Sequence, residues 1–244
     1  MFENNIKFIS EITDIEPPIP AKRNIPTWYK KLKHVHGHNT VKGCMPFLDS
    51  LSAGYIIKLP IDLRIKHNMI NPATGKRDGE QFSPLKDYNQ FAEDVGFWVN
   101  KKLEIHQPFQ LAGSDLIKKN KDLPIHKFVN PWTIQTPKGY SCLFVPPLNN
   151  RDDRFEILSG IVDTDLHKIP VNLPFIINSD KYPELDTIIE KGTPIAQVIP
   201  FKRDNWKMSI EKQKRKGYIL ELVKFLTSFI DRYKNNIWQK KKWN

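Results

Sequence analysis

The chain has 244 residues, of which 39% are hydrophobic, and a formal net charge of +11. This length and composition predict one folded domain with an appendage and exclude a disordered or collagen-like chain. No apolar run approaches the roughly 20 residues of a membrane span, and "MFENNIKFIS" lacks the pattern of a secretory signal. We therefore expect a cytoplasmic protein without a membrane span.

The first two hundred residues read as short strands. Nineteen prolines argue against long helices there, with two exceptions: a short helix after a cap at Asn24 in "NIPTWYKKL", and a helix in "PLKDYNQFAEDV". "NPATGKRDGE" at 71–80 predicts a loop that joins two strands. Segments rich in β-branched and aromatic residues, bounded by Pro, Gly or Asn, predict strands at 53–65, 96–100, 127–136, 140–147, 155–162, 171–177 and 194–201.

Near the end of the chain the spacing of the apolar residues changes from that of a strand to that of a helix. Apolar residues with helical spacing occur at Ile219, Leu222, Val223, Leu226, Phe229, Ile230, Tyr233 and Ile237. They predict an amphipathic helix that packs on the β core or on a neighbouring subunit; a membrane-surface helix is the alternative. The sequence thus divides into a β-rich core at 1–206, with an extended and helical N-terminal segment, and a basic amphipathic helix at 207–244.

The positive charge is concentrated in that last part of the chain. Residues 202–244 contain thirteen Lys and Arg against four acidic residues, so nucleic acid is one possible partner of the tail. The two cysteines, Cys44 and Cys142, form neither a disulfide framework nor a CxxC metal motif. We expect two free, buried thiols.

Three segments resemble motifs of the dUTPase and dCTP-deaminase superfamily. "GIVDTD" and "IEKGTPIAQVIP", within 160–200, resemble its third and fourth motifs, and "SLSAGYIIKL" resembles its first. The resemblance implies a barrel-like or β-clip core. It also implies that Asp163 activates water in a nucleotide-hydrolysing site, with Asp165, Tyr55 and Gln197 as ligand contacts and Mg²⁺ as cofactor.

The chain departs from those motifs at several positions. Ile56 replaces the metal-linked aspartate of the first motif, and Leu166 stands where a tyrosine would stack on the base. "PPLNNRDD" offers no Arg-Ser-Gly phosphate contact, and no glycine-rich arm ends the chain. Without these groups the charge of a triphosphate is not neutralised. The aspartates can instead be structural, holding a turn through nearby backbone amides.

The chain also resembles, over most of its length, an uncharacterised family associated with tailed bacteriophages and marine microbes. The segments that carry this resemblance are "PIPAKRNIPTWYK", "TVKGCMPFLDSLSAGYIIKLP", "NPWTIQTPKGYS", "GIVDTDLHKIPVNLPF" and "GTPIAQVIPFKRDNW". The phage setting favours a particle component, and the groups that would bind a triphosphate are missing. We therefore expect a non-enzymatic, viral structural or assembly protein without cofactor or metal, which forms homo-oligomers or joins other particle subunits in the host cytoplasm or virion. The alternative is a nucleotide-binding or nucleotide-hydrolysing protein that uses Asp163.

Histidines suggest two metal sites, each weighed against ordinary surface or turn histidines. "HVHGH" places His34, His36 and His38 at alternate positions, so that an extended strand would present all three imidazoles on one face. His106, Asp165 and His167 contain the ligand types of a two-His, one-carboxylate iron site, to which His126 can add an imidazole.

Overall fold

The structure, a computed structural model, describes residues 5–12, 15–35, 40–77, 79, 81–84, 105–117, 125–128, 130–212, 215–227 and 233–244. Three α-helices are described: α1 (Thr27–Lys31), α2 (Met45–Ser52) and α3 (Arg215–Thr227). The strands, in chain order, are β1 (Lys7–Ile9), β2 (Ile19–Pro20), β3 (Tyr55–Lys58), β4 (Leu63–His67), β5 (Gln81–Pro84), β6 (Ile105–His106), β7 (Ile125–Phe128), β8 (Thr133–Gln135), β9 (Tyr140–Val145), β10 (Phe155–Ile157), β11 (Gly160–Val162), β12 (Leu173–Ile177), β13 (Leu185–Ile189) and β14 (Pro194–Lys202).

The fold is mainly β, and its strands form four antiparallel sheets. The five-stranded sheet has the order β11-β9-β14-β3-β2, the others being β10-β12-β7-β6, β13-β4-β5 and β1-β8. Among the described strands none of these sheets closes into a barrel, because the two end strands of each order do not pair with each other. The expected barrel is therefore wrong in this respect, although the β class is confirmed.

One hydrophobic core joins the four sheets. Its centre contains Phe128 of β7 stacked on Phe175 of β12 at 3.9 Å between ring centroids, with Phe155 of β10 edge-on to both. Residues of β3, β4, β8, β9, β13 and β14 belong to the same buried cluster. Burying one such aromatic side chain contributes about 1.5–3 kcal/mol, so the core fixes how the sheets lie against one another.

Most of the predicted strands are confirmed. They could be predicted because β-branched residues and the alternation of apolar and polar residues are features of the local sequence. Those at 140–147, 171–177 and 194–201 correspond to β9, β12 and β14, while 155–162 contains both β10 and β11. The loop predicted at 71–80 includes a turn after β4, where Asn71 accepts a backbone bond from Gly75 at 2.8 Å. The predicted strand at 96–100 and all of "PLKDYNQFAEDV" after Pro84 lie outside the described residues.

The helices differ from expectation in three ways. α1 is where a helix was predicted, but its N-cap is Pro26, and Asn24 instead ends the preceding 3-10 turn at Ala21–Arg23. α2 was not predicted, because its eight residues are too few to show a clear period. A helix over 207–244 is not shown: α3 covers Arg215–Thr227, a π-helical turn covers Tyr233–Ile237, and residues 207–212 and 238–244 have no regular secondary structure.

The two cysteines have different environments. Cys142 is buried in β9 as expected, and burial raises the pKa of its thiol to about 11. Cys44 is exposed, which corrects the prediction of two buried thiols, since it occupies the N-cap position of α2 at the surface. In the part of the chain that the structure describes, no helix is both long and apolar enough to cross a membrane.

Candidate functional site

The two aspartates of "GIVDTD" lie in a turn that follows β11. The turn is closed by backbone bonds from Leu166 and His167 to the carbonyl of Asp163, both 2.9 Å. Between the aspartates, Thr164 is fully buried, and its hydroxyl lies 2.7 Å from that of Thr136. This burial anchors the turn and directs both carboxylates to the junction of β9 and β14, a place called here the aspartate corner (Gly139, Ser141, Asp163, Asp165 and Arg203).

Asp165 is held from two sides. The guanidinium of Arg203, just after β14, donates to its two carboxylate oxygens at 2.9 and 2.5 Å, and the backbone N–H of Gly139 donates at 2.8 Å. Its side chain is only 4% exposed. The hydrogen bonds from Arg203, followed by the one from Gly139, lower the pKa of the Asp165 carboxyl to about 2. Asp165 is therefore ionised near neutral pH, where it holds the corner together and does not accept or release a proton.

Asp163 is the more accessible carboxylate of the corner. One of its oxygens accepts a hydrogen bond from the Ser141 hydroxyl at 2.6 Å and lies 3.2 Å from the Arg203 guanidinium. Its side chain is 56% exposed, so solvent or a ligand reaches it. Arg203 therefore touches both aspartates, a link that the sequence analysis missed because nothing in "PFKRDNW" distinguishes this arginine from its basic neighbours.

The corner does not fit a Mg²⁺ ion. Its two carboxylates already share one cation, Arg203, and a second cation would repel the guanidinium. Ile56 supplies no carboxylate from β3. Within the described residues no group of three or more His, Cys, Asp or Glu side chains is arranged to hold a metal.

Gln197 lies in the same sheet, but away from the corner. In the ladder between β14 and β9, Gln197 pairs with Val145, whereas Phe201 pairs with Ser141 of the corner. Four residues of a strand span about 13 Å. Gln197 is buried, and its amide accepts from the Leu148 N–H at 2.8 Å. It donates to the carbonyls of Ser50 and Ala53 at 2.9 and 2.6 Å, so backbone groups occupy both ends of this amide.

Tyr55 is covered by the end of the chain. Its hydroxyl donates to the Asn244 carbonyl at 3.2 Å, and its ring meets those of Trp243 and Phe8 edge-on at 6.4 and 5.3 Å. Burial raises the pKa of the Tyr55 hydroxyl. Tyr55 pairs with Val198 across β3 and β14, on the other side of β14 from β9 and the corner. The structure thus does not bring Tyr55, Gln197 and Asp163 into one site.

The C-terminal strap, residues 238–244, reaches Tyr55 from an anchor on α2. The indole N–H of Trp238 donates to both oxygens of Asp49 at 3.1 and 3.0 Å, and the Lys241 ammonium lies 2.7 Å from the same carboxylate. At the far end Lys22 donates to the side chain of Asn244 at 3.0 Å. These contacts hold residues 238–244 against the core.

Of the two candidate histidine sites, the one at His34, His36 and His38 falls partly outside the described residues, and the other is not formed among the described residues. His34 accepts from the Thr40 N–H at 3.3 Å, while His36 and His38 lie outside the described residues. His106 lies in β6, 2.6 Å from the Gln110 side chain, and is not grouped with Asp165 and His167. The predicted iron site is therefore wrong, since Asp165 has Arg203 as its partner.

An open cleft of about 800 Å³ was not predicted. The Trp28 ring forms part of its wall and is itself packed edge-on against Tyr29 and Phe47 at 5.8 and 6.1 Å. The remaining wall is the segment Val145–Arg151 with Asp153 and Ser159. A wall formed partly by α1, which is distant in the sequence, leaves no local pattern from which the cleft could have been predicted.

The most exposed apolar residues lie beyond β14, in a segment called here the excursion (residues 204–237). Every residue from Phe201 to Lys212 is exposed. Trp206, Met208 and Ile210 occupy alternate positions in this stretch, which has no regular secondary structure, and are 90%, 83% and 88% exposed. In α3, the described side chains of Tyr218, Ile219, Leu220, Leu222 and Val223 are exposed as well.

No protein-family model matches the chain, and no curated protein is found with a similar sequence. The resemblances to the dUTPase superfamily and to a phage family stay predictions, and a function has to be inferred from the geometry of the chain itself.

Proposed function

We propose that the protein is a non-enzymatic assembly protein, of viral type, whose excursion docks on a second copy of the chain. A single observation carries the proposal: Trp206, Met208 and Ile210 occupy alternate positions in a stretch without regular secondary structure and are each more than four-fifths exposed. Large apolar side chains that alternate on an extended chain are typical of a strand with one buried face. In the isolated chain the face formed by these side chains is exposed, and the surface of a second copy would cover it.

The energetics favour burial of this stretch. Covering one large apolar side chain contributes about 1.5–3 kcal/mol, and contiguous exposed apolar surface marks interaction sites on proteins. α3 adds further exposed apolar side chains, Ile219 and Leu222 among them. A docked excursion would bury both parts, so the stretch at 204–212 and α3 act together as one docking arm.

The aspartate corner fits this proposal as architecture. Asp165, Arg203 and the Gly139 N–H join the turn after β11 to the end of β14, and β14 leads directly into the excursion. The corner therefore fixes the direction in which the arm leaves the core. A β-clip related to the dUTPase scaffold, with a long helix completed on assembly, in a host cytoplasm or virion, is part of the same proposal.

Sedimentation velocity over a range of protein concentrations tests self-association. We expect the wild type to form a defined oligomer and the triple variant Trp206→Ser, Met208→Ser, Ile210→Ser to sediment as a monomer. The matched control replaces Ile161, Leu166 and Ile169 with Ser, since these are 64%, 71% and 64% exposed but lie outside the arm. A wild type that is monomeric throughout, or a control that dissociates as fully as the arm variant, contradicts the proposal.

A second candidate function, nucleotide binding or hydrolysis at Asp163, is favoured by the accessibility of that carboxylate beside a hydroxyl and a guanidinium. Here Arg203 would supply part of the positive charge that a phosphorylated ligand needs. Ligand binding to the native state raises the melting temperature. A shift with dUTP or dCTP, with or without Mg²⁺, that is lost in Asp163→Ala would establish this function, and no shift would exclude it.

A further inference from the structure

The charge of the protein is divided unevenly between the core and the C-terminal part. Residues 202–244 contain thirteen Lys and Arg and four Asp and Glu, while residues 1–201 are nearly balanced, with twenty-five against twenty-three. Nearly all of the net charge of +11 therefore belongs to the last 43 residues. Such an asymmetry makes one end of the molecule a strong attractor for polyanions.

Three of these cations are already neutralised. Lys202 pairs with Asp204 at 2.9 Å, Arg203 holds the two aspartates of the corner, and Lys241 binds Asp49. Six others are exposed and form no ion pair with any residue that the structure describes: Lys207, Lys212, Arg215, Lys234, Lys240 and Lys242. These six are called here the unpaired cations.

The unpaired cations fall into two groups on either side of α3. Lys207, Lys212 and Arg215 lie before it or at its first residue, and Lys234, Lys240 and Lys242 lie after it. A 13-residue helix is about 20 Å long. The helix separates the two groups in the sequence, and a linear polyanion with closely spaced charges can meet both.

We propose that the unpaired cations bind the phosphate backbone of nucleic acid without sequence preference. Lys and Arg that neutralise phosphates release condensed counterions, and this entropy gain drives binding. The proposal does not depend on self-association, because it uses the charged side chains of the C-terminal part and not the apolar ones.

An anionic membrane surface is the competing polyanion, and the helix fits it poorly. A membrane-surface helix needs one apolar face and one strongly basic face. In α3, exposed apolar side chains occur at Tyr218, Ile219, Leu220, Leu222 and Val223, which at 100° per residue cover more than one side of the helix. The unpaired cations lie mainly on extended segments outside it, where they can follow a strand of phosphates.

Fluorescence anisotropy with a labelled, mixed-sequence DNA duplex of about 20 base pairs tests the proposal, starting near 50 mM salt. For duplex DNA the slope of log K against log salt is about −0.9 per neutralised phosphate, so the unpaired cations give a slope of up to about −5. The variant Lys207→Gln, Lys212→Gln, Arg215→Gln should bind more weakly and with a slope smaller by about 3.

The matched control removes the same charge from the core. Lys31, Lys33 and Lys76 are exposed, and their replacement by Gln should leave most of the affinity and the slope in place. An equal loss in both variants means that net charge alone acts, which overturns the proposal, as does the absence of binding by the wild type. Tighter binding to vesicles of phosphatidylcholine with phosphatidylserine than to the duplex, lost in the same variant, assigns the cations to a membrane and also overturns it.

Discussion

The guanidinium of Arg203 forms two hydrogen bonds with the carboxylate of Asp165, which lies 38 residues earlier in the chain. The pair joins the turn after β11 to the C-terminal end of β14 in the five-stranded sheet. Gly139 completes the arrangement by donating its N–H to Asp165, so one carboxylate fixes three segments. Four predictions concern this corner and the elements around it.

Replacing Asp165 with Asn should lower stability in a pH-dependent way. The folded pKa of Asp165, about 2, is below its ordinary value of 3.8. A carboxyl with a depressed folded pKa contributes stability above its unfolded pKa and loses it as pH falls through the folded value. Denaturant unfolding of both proteins should show a constant difference above about pH 5 and a shrinking one between about pH 4 and pH 2. If the difference in unfolding free energy between the two proteins does not change with pH, the corner does not require the ionised form of Asp165.

Gly54→Ala should destabilise the fold strongly. Gly54 has φ +66°, and a Cβ there would lie 2.0 Å from the Val198 carbonyl oxygen of β14. The left-handed backbone alone costs about 1–2 kcal/mol, and the clash adds to it. Gly75→Ala is the control, since Gly75 has φ +65° but nothing within 4 Å of its Cβ position. Urea unfolding should show a clearly larger loss for Gly54; equal losses would mean that β14 moves aside freely.

Gln197→Leu should cost at least about 2 kcal/mol of unfolding free energy. Leucine fills a similar volume but leaves the Leu148 N–H and the carbonyls of Ser50 and Ala53 without their amide partner. A buried polar group without a partner costs about 1–3 kcal/mol. Chemical denaturation measures the loss. A variant of unchanged stability would show that water reaches these backbone groups, and would return Gln197 to the candidate ligand contacts.

Asp49→Ala should release the C-terminal strap. The carboxylate of Asp49 receives both the indole N–H of Trp238 and the ammonium of Lys241. Without it, amide hydrogen exchange across 238–244 should become faster, while exchange in β9 and β14 stays slow. Asp186→Ala, which removes the carboxylate partner of Arg64 between β13 and β4, is the control. Unchanged exchange in the strap would mean that Tyr55 and Lys22 hold it without help from α2.

Local pattern was sufficient to determine much of the scaffold. Short segments rich in β-branched residues, such as 140–147 and 194–201, form strands, because the preference for a strand depends on the pattern of neighbouring residues. Gly192, with φ +85°, forms the turn before β14 because only glycine adopts that backbone without strain. The pattern "GIVDTD" singles out Asp163 and Asp165, but it does not identify the residues that bind them.

The partners themselves were decided by the tertiary structure. Arg203 reaches Asp165, and Gln197 reaches Ser50 and Ala53, only because strand register brings distant residues together. The exposure of Trp206, Met208 and Ile210 also follows from the path of the chain beyond β14, not from their hydrophobicity, which would predict burial. Composition and periodicity fix what each segment tends to form, because those preferences act over a few residues. Which charges are neutralised and which apolar side chains stay uncovered depends on packing between segments that are far apart in the sequence.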